Sequence, residues 1–373
     1  MRILTVSAFY ESHGGGIELV AGALARALAR RGHECRWAAA AFDPPPDALG
    51  VAPSPLDAFD PIERRLGLPM PLLTRGGRRV LADEIAMADA VIVHDALYAS
   101  SVLATREARR ARKPWALIQH IGPIPYKSSL LRGALALANC AVTQPMLARA
   151  SRAVFISDGV RRHFGEVAYR APPLLLFNGV DHNVFTLTSS ERRAEMRREL
   201  GLDGERPQFL FVGRFVEKKG LTVLEHLARH NPQWDFQLVG SGPIDPAKWG
   251  LANVRLRGRK TSAELADLYA AVDGFVLPST GEGFPLVVQE AMACGLPVYC
   301  GSDSAEADPG AARFLHGIDV DLTDPGGTAK RFALAMAQGA PGPNAEMAAH
   351  AHAAYDWDAN AAALEKALLE RAL

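Results

Sequence analysis

The chain has 373 residues, 49% of them hydrophobic and 22% charged, with 41 Lys and Arg against 41 Asp and Glu. That length allows two domains and that composition is ordinary for a soluble globular protein; a net charge of zero gives no reason to expect a nucleic-acid partner. The halves differ: residues 1–185 carry 22 basic against 16 acidic groups, a net +6, and the remainder 19 against 25, a net −6. A basic half suits an anionic partner or surface, although solvated arginines in an Ala/Arg-rich sequence give the same count. Cys35, Cys140, Cys294 and Cys300 lack metal-ligand spacing and stand in apolar surroundings, which fits reduced, buried thiols and no metal site. Met1 leads directly into a strand and no run is long and apolar enough for a confident membrane span, so a cytoplasmic location is expected.

Ile3 to Ala8 predicts the first strand. His13-Gly14-Gly15-Gly16 follows, then Ile17 to Arg31 with helical apolar spacing, closed by Gly32. Strand, glycine turn and helix leave Gly15 and Gly16 facing an anion or a closely approaching substrate. Glu34 to Ala41 predicts the second strand. Residues 42–75 are rich in proline, with Pro44, Pro45 and Pro46 in a row, and read as a long loop, either acceptor-side or a plain connection. Ala90 to His94 reads as a strand, Ser100 to Arg112 as a helix and Trp115 to Gln119 as a strand. The last runs into His120-Ile121-Gly122-Pro123. His120 thus stands at the carboxyl end of a parallel strand, where open α/β sheets bind ligands, although a lone histidine is also a common structural residue. Leu130 to Ala150 is apolar and Ala-rich, broken by Arg132, Asn139 and Gln144-Pro145, and reads as a helix packed in a domain or lying against a membrane. Ala153 to Ser157 predicts a strand, a short helix starts at Asp158, and Leu174 to Phe177 leads into a turn at Asn178-Gly179.

Thr186 to Arg206 is polar, with a helix expected over Glu191–Leu200, and reads as the linker into a second domain. Phe209 to Gly213 predicts a strand, followed by Arg214-Phe215-Val216-Glu217-Lys218-Lys219-Gly220. In such a turn Arg214 and Lys219 either converge on a pyrophosphate, one as a planar fork and the other as a point charge, or are exposed surface cations. Phe236 to Gly240 and Val254 to Gly258 predict two more strands, and Arg259-Lys260 precede a helix over Ser262–Ala271.

Gly274 to Pro278 reads as a buried strand. Thr280 to Gly301 then runs Thr-Gly-Glu-Gly-Phe-Pro-Leu-Val-Val-Gln-Glu-Ala-Met-Ala-Cys-Gly-Leu-Pro-Val-Tyr-Cys-Gly. Gly281 and Gly283 make the turn, Pro285 suits a first helical residue, Val287 to Cys294 has helical spacing, and Gly295 stops it. Free N–H groups and the helix dipole suit an anion there. Glu282 and Glu290 flank the same spot. Carboxylates do not bind phosphate, so sugar hydroxyls are their natural partners; a dipole-balancing Glu and a solvated Glu are the plain alternative.

The phrase Glu282-Gly-Phe-Pro-Leu…Glu290-Ala-Met-Ala-Cys-Gly-Leu-Pro-Val resembles the signature of the retaining glycosyltransferases of family 4. Gly15-Gly16-Ile17-Glu18, Arg31-Gly32-His33-Glu34, Asn178-Gly179-Val180-Asp181 and the Gly213-Arg214…Lys219-Gly220 turn are similar to the same family. The resemblance implies an α/β protein of the GT-B fold, two Rossmann-like doubly wound domains facing a central cleft. Residues 1–185, with a closing helix in 358–373, would bind the acceptor, and residues 186–357 the nucleotide sugar. It implies a hexosyltransferase-type enzyme that moves a sugar from a UDP- or GDP-sugar to an acceptor hydroxyl with retained configuration, independent of metal and of any other cofactor. Polysaccharide, lipopolysaccharide or other glycoconjugate synthesis is the implied setting, with a glycan or lipid-linked acceptor and peripheral contact with the inner membrane surface. Arg214 and Lys219 would clamp the diphosphate, Glu282 would orient the sugar and His120 would point at it. Gly15, Gly16, Gly213, Gly240, Arg259, Phe284, Pro285, Leu286 and Glu290 would line the donor and nucleotide site. The chain departs from the family after Gly301, where Ser302 to Gly310 is acidic instead of glycine-rich. An epimerase-like GT-B enzyme, a two-domain sugar-binding protein and a silent nucleotide- or sugar-binding relative are the alternatives.

Overall fold

The short apolar runs at the centre of each sheet, such as Ala90–His94, Trp115–Gln119, Gln208–Val212 and Gly274–Leu277, become parallel strands because they are buried along their length and carry almost no polar alternation. The computed structural model describes residues 1–46, 49–61, 70–122, 129–202, 204–339 and 343–370. Pro123 and parts of the 42–75 segment, residues 47–48 and 62–69, lie outside the described residues. Contacts divide the chain into two units, Met1–Asn178 with the segment from Trp357 onward, and Gly179–Asp356.

Unit 1 is built from β1 (Arg2–Val6), α1 (Gly16–Arg30), β2 (Glu34–Ala40), β3 (Val51–Leu56), a short antiparallel pair β4 (Ala58–Phe59) and β5 (Leu72–Leu73), α2 (Arg75–Met87), β6 (Ala90–His94), α3 (Ala99–Arg110), β7 (Trp115–Gln119), α4 (Ser129–Ala138), α5 (Gln144–Arg149), β8 (Arg152–Phe155), α6 (Asp158–His163) and β9 (Leu174–Leu175). Among the described residues its main sheet is parallel, in the order β3-β2-β1-β6-β7-β8-β9. The two faces bury separate cores. One centres on Leu117, Phe155 and Phe164, the other on Trp37, Leu24 and Leu28 beneath α1. The last helix, Trp357–Leu369, belongs to this second core through Ala361, Leu364 and Leu368, each fully buried aliphatic contributing roughly 1.5–3 kcal/mol. Arg30 and Arg31 tie it to α1 through Asp358 (2.7 Å) and Glu365 (2.6 Å).

The expectation of a plain loop over 42–75 is corrected by β3, which pairs in parallel with β2 along Val51–Leu56. Its prolines explain the error. Leu56 presents its carbonyl to the neighbouring strand, accepting from Ala41 N, so Pro53 and Pro55, three and one residues earlier, turn their missing N–H groups to the free edge. The Leu130–Ala150 segment forms α4 and α5 joined by a π-turn at Asn139–Thr143. Met146 and Leu147 of α5 are buried, but Leu137 of α4 is 69% exposed, so packing in a domain holds only for the second part. Cys140 is exposed as well, unlike the other three cysteines. No described helix is long and apolar enough to cross a membrane.

Unit 2 follows the same plan: α7 (Ser190–Glu199), β10 (Gln208–Val212), α8 (Leu221–His230), β11 (Asp235–Val239), β12 (Val254–Gly258), α9 (Ser262–Ala271), β13 (Gly274–Leu277), α10 (Leu286–Ala293), β14 (Val298–Gly301), α11 (Ser302–Ala305), β15 (Leu315–Ile318), α12 (Pro325–Gln338) and α13 (Ala345–Ala354). The strand order among the described residues is β12-β11-β10-β13-β14-β15. The order reverses between β10 and β13, as it does between β1 and β6 in unit 1, and at such a switch point the turns beyond the carboxyl ends of the strands part to make room for a ligand.

Candidate active site

The turns after β10 and β13, on either side of the unit 2 switch point, are pressed together. A Cβ on Gly220, whose φ is +73°, would collide with the Pro278 carbonyl, and Thr280 N donates to Lys218 O at 3.1 Å. Gly213 and Gly240 make a second close approach: Gly240, with φ +141°, leaves no room for a Cβ beside the Gly213 carbonyl. These glycines bring the Arg214–Lys219 turn against the Thr280–Pro285 turn. The stem of Lys219 passes over Gly213, and its ammonium lies 3.0 Å from Glu282 Oε1, with both side chains 14% exposed. Lys218 Nζ stands 3.6 Å from the same oxygen. Burial raises the Glu282 carboxyl, but Lys219 and then Lys218 outweigh it and hold it below the usual carboxylate range. Arg214, in the same turn as Lys219, is exposed and has no ion pair with any described residue.

Pro285 is the N-cap of α10 rather than its first helical residue, with φ −63° and ψ 132°, and no side chain caps the helix. Val288 N bonds back to Pro285 O at 3.0 Å, which leaves the N–H groups of Leu286 and Val287 as the open donors of the first turn. Phe284 turns its ring inward, buried and edge-on to Tyr355 at 5.5 Å, so only its backbone is offered to a ligand. Glu290, one turn further along α10, accepts from the Tyr269 hydroxyl at 3.3 Å, and burial pushes its carboxyl up to about 7. Glu282 and Glu290 are therefore displaced in opposite directions: one is matched by lysines and the other by a phenol. Arg259 donates from Nε to Ser241 Oγ at 3.3 Å on the rim of the Gly240 turn.

The acidic departure after Gly301 reaches this site. Asp303 Oδ2 accepts from Gly281 N at 3.3 Å and pins the glycine turn, a role that only the acidic composition of 302–310 hinted at. Asp308 instead goes inward, accepting from Tyr355 Oη at 2.9 Å and lying 2.9 Å from His350 Nε2 beneath Phe284. Sequence reasoning also missed Tyr269 of α9, which no motif around it marks.

In unit 1, α1 starts at Gly16 with Gly15 as its N-cap. A Cβ on Gly15 would strike the buried Glu18 carboxylate, which folds back over the start of its own helix, while Gly16 faces open space. His120 is buried at the end of β7, its Nε2 3.0 Å from His94 Nδ1. Asp95 follows β6 in the left-handed region, φ +62°, with Oδ1 accepting from Gln119 Nε2 at 2.7 Å and from Ala96 N at 3.0 Å. Burial pushes its carboxyl up to about 7. Gln119 Nε2 also donates to Ile121 O at 2.8 Å, so the backbone around His120 is held on both sides. No group of three or more His, Cys, Asp or Glu among the described residues is arranged to hold a metal ion.

Residues 14–184 match the family profile described as Glycosyltransferase Family 4, and residues 206–337 match that described as Glycosyl transferases group 1. A D-inositol 3-phosphate glycosyltransferase of Thermobispora bispora is 33% identical over 232 residues, 54% of this chain and 52% of that protein. The chain spans about half the length of the curated relatives it matches. Among solved structures, sucrose-phosphate synthase from Thermosynechococcus elongatus superposes with a TM-score of 0.71 at 19% identity, covering 98% of each chain. Anabaena Alr3699/HepE in complex with UDP gives 0.70 at 19% identity, covering 99% of this chain and 100% of that one. These similarities carry the two-Rossmann GT-B fold.

Proposed function

The chain belongs to the group 1, family 4 glycosyltransferases, and from that premise we propose that it moves a sugar from a UDP- or GDP-sugar to an acceptor hydroxyl with retained anomeric configuration. The observation that carries the reading is the Lys219–Glu282 pair joining two turns, one of which exposes Arg214 while the other leads into the uncapped start of α10. As the glycosidic bond breaks, negative charge grows on the departing diphosphate. Arg214, Lys219 and the N–H groups of Leu286 and Val287 are the preorganised groups to meet it. Such fixed donors reorganise little when the charge appears, and each is worth roughly 3–4 kcal/mol of barrier. Four donors of this kind support a reaction independent of a metal ion. Glu282 is proposed to hold sugar hydroxyls while steering Lys219. Glu290 is proposed to accept from the ribose diol, and His120 to hydrogen-bond the donor sugar. The acceptor is proposed to be a glycan or lipid-linked hydroxyl in polysaccharide, lipopolysaccharide or glycoconjugate synthesis.

The test is nucleotide release from UDP- and GDP-sugars with and without candidate acceptors, with the anomeric configuration of the product read by NMR. The reading expects acceptor-dependent release, unchanged by EDTA, a retained configuration, and a loss of about 10²–10³ in kcat for Arg214→Ala. Slow, acceptor-independent release would favour an epimerase-like enzyme. A cytoplasmic protein with peripheral membrane contact through the basic first half is part of the proposal. If anionic liposomes retain the protein no better than neutral ones at low salt, that part fails.

A further inference from the structure

We propose that His94 is a positioning residue that fixes the tautomer of His120, so that His120 offers its Nδ1–H, not a lone pair, to the ligand. His94 lies on β6 opposite Ile118 of β7, which puts its ring diagonally across from His120. The rings stack with centroids 5.2 Å apart, and His94 Nδ1 meets His120 Nε2 at 3.0 Å. His94 is completely buried and His120 is 4% exposed. Burial drives His94 well below the usual imidazole range, helped by His120, and takes His120 down to about 3, so both rings are neutral at physiological pH.

Two neutral imidazoles joined by one hydrogen bond share a single proton between the facing nitrogens, and this leaves two arrangements. If His120 donates from Nε2, then His94 carries its own proton on Nε2. If His94 donates from Nδ1, then His94 Nε2 is a bare lone pair and His120 carries its proton on Nδ1. His94 Nε2 is buried and has no hydrogen-bond partner among the described residues. A buried N–H without an acceptor is rarer and more costly than an unfilled lone pair, so the second arrangement wins. His120 Nδ1 has no partner among the described residues, which leaves that N–H for a ligand oxygen. A group of this kind donates a hydrogen bond to a sugar hydroxyl or phosphate oxygen and does not accept a proton from one.

The catalytic consequence rests on the glycosyltransferase reading, while the tautomer does not. The experiment is long-range ¹H–¹⁵N correlation on ¹⁵N-histidine-labelled protein, comparing wild type, His94→Leu and His94→Gln, with His120→Gln to assign the signal. Wild type is expected to show His120 protonated on Nδ1 alone. His94→Leu removes the donor but supplies no acceptor, so the His120 Nε2 ¹⁵N resonance should move to that of an unbonded lone pair. His94→Gln, whose amide donates to the same nitrogen, should keep the Nδ1–H form. In steady-state kinetics His94→Leu should lower kcat more than tenfold with the donor KM changed less than threefold, and His94→Gln should recover most of kcat. An Nε2–H signal in wild type, or a His120 Nε2 resonance unchanged in His94→Leu, would overturn the proposal. A correct tautomer pattern in a protein that turns over no nucleotide sugar would leave it standing and sink the functional reading instead. Circular dichroism and thermal unfolding of each variant separate either result from misfolding.

Discussion

The carboxyl ends of the two sheets use opposite electrostatic devices. In unit 1 the residues there are buried: two neutral imidazoles sharing a proton, and Asp95, whose carboxyl burial pushes up to about 7. In unit 2 the groups around the switch point are charged: Lys219 and Lys218 against Glu282, with Arg214 exposed in the same turn as the lysines. Only the second arrangement is suited to a ligand that gains charge as it reacts. The first is suited to holding donors and acceptors in a fixed pattern. The contrast shows how one strand order can carry two electrostatic settings, since the topology supplies the place and the residues after each strand decide its charge.

The largest effect is expected from breaking the unit 2 ion pair. Lys219→Ala leaves the Glu282 carboxylate buried without its main partner and should cost about 3–5 kcal/mol in urea unfolding, while Lys219→Ala with Glu282→Gln should cost less than Lys219→Ala alone. If Lys219→Ala costs under about 1 kcal/mol, the pair behaves like a solvated surface bridge and the contrast between the units collapses.

Next come the displaced carboxyls. Glu290 and Asp95, with values of about 7 against ordinary values of 4.5 and 3.8, bind protons more tightly folded than unfolded. Each therefore makes stability fall as pH rises from the ordinary carboxylate range to about 7, by roughly 3–4 kcal/mol. Glu290→Gln and Asp95→Asn should remove that loss, being more stable than wild type at pH 8 and not at pH 4. Glu282 has the opposite sign, because its value is depressed: its contribution is present above the ordinary carboxylate range and lost as pH falls through the folded value. A Glu282→Gln variant should accordingly flatten the acid limb and leave the alkaline one alone.

The smallest expected effect is that of Tyr269→Phe. It removes the hydroxyl shared by Val287 O and Glu290, should cost about 1 kcal/mol, and should raise the Glu290 value further, read by carboxyl titration in ¹³C NMR. An unchanged Glu290 titration would show that the phenol does not face the carboxylate in solution.

Much of the fold was legible because its signals are local. Each β-turn-α unit announces itself by an apolar run, a glycine where two turns press together, and helical spacing after it, as at Phe209–Gly220 and Gly274–Gly295. What escaped depends on neighbours distant in the chain. β3 is hidden by prolines that only an edge strand tolerates, and β15, Leu-His-Gly-Ile, is too short and too exposed to stand out. In the site, the identities of Arg214, Lys219, Glu282 and Glu290 could be read from the phrase around them. The 3.0 Å approach of Lys219 to Glu282, 63 positions later in the sequence, could not. Nor could His94, whose partner sits on the next strand, or Asp303, which read only as a break in a glycine-rich pattern.

The central claim is that the turn after β10 and the start of α10 together bind a nucleoside diphosphate without a metal ion. The most direct measurement is thermal unfolding of wild type and Arg214→Ala with UDP or GDP at a hundred times Kd, each with and without EDTA. The account predicts that one nucleotide stabilises wild type by about 2.7 kcal/mol, that EDTA changes nothing, and that the stabilisation disappears in Arg214→Ala. No stabilisation by either nucleotide, or the same stabilisation in the variant, would contradict it.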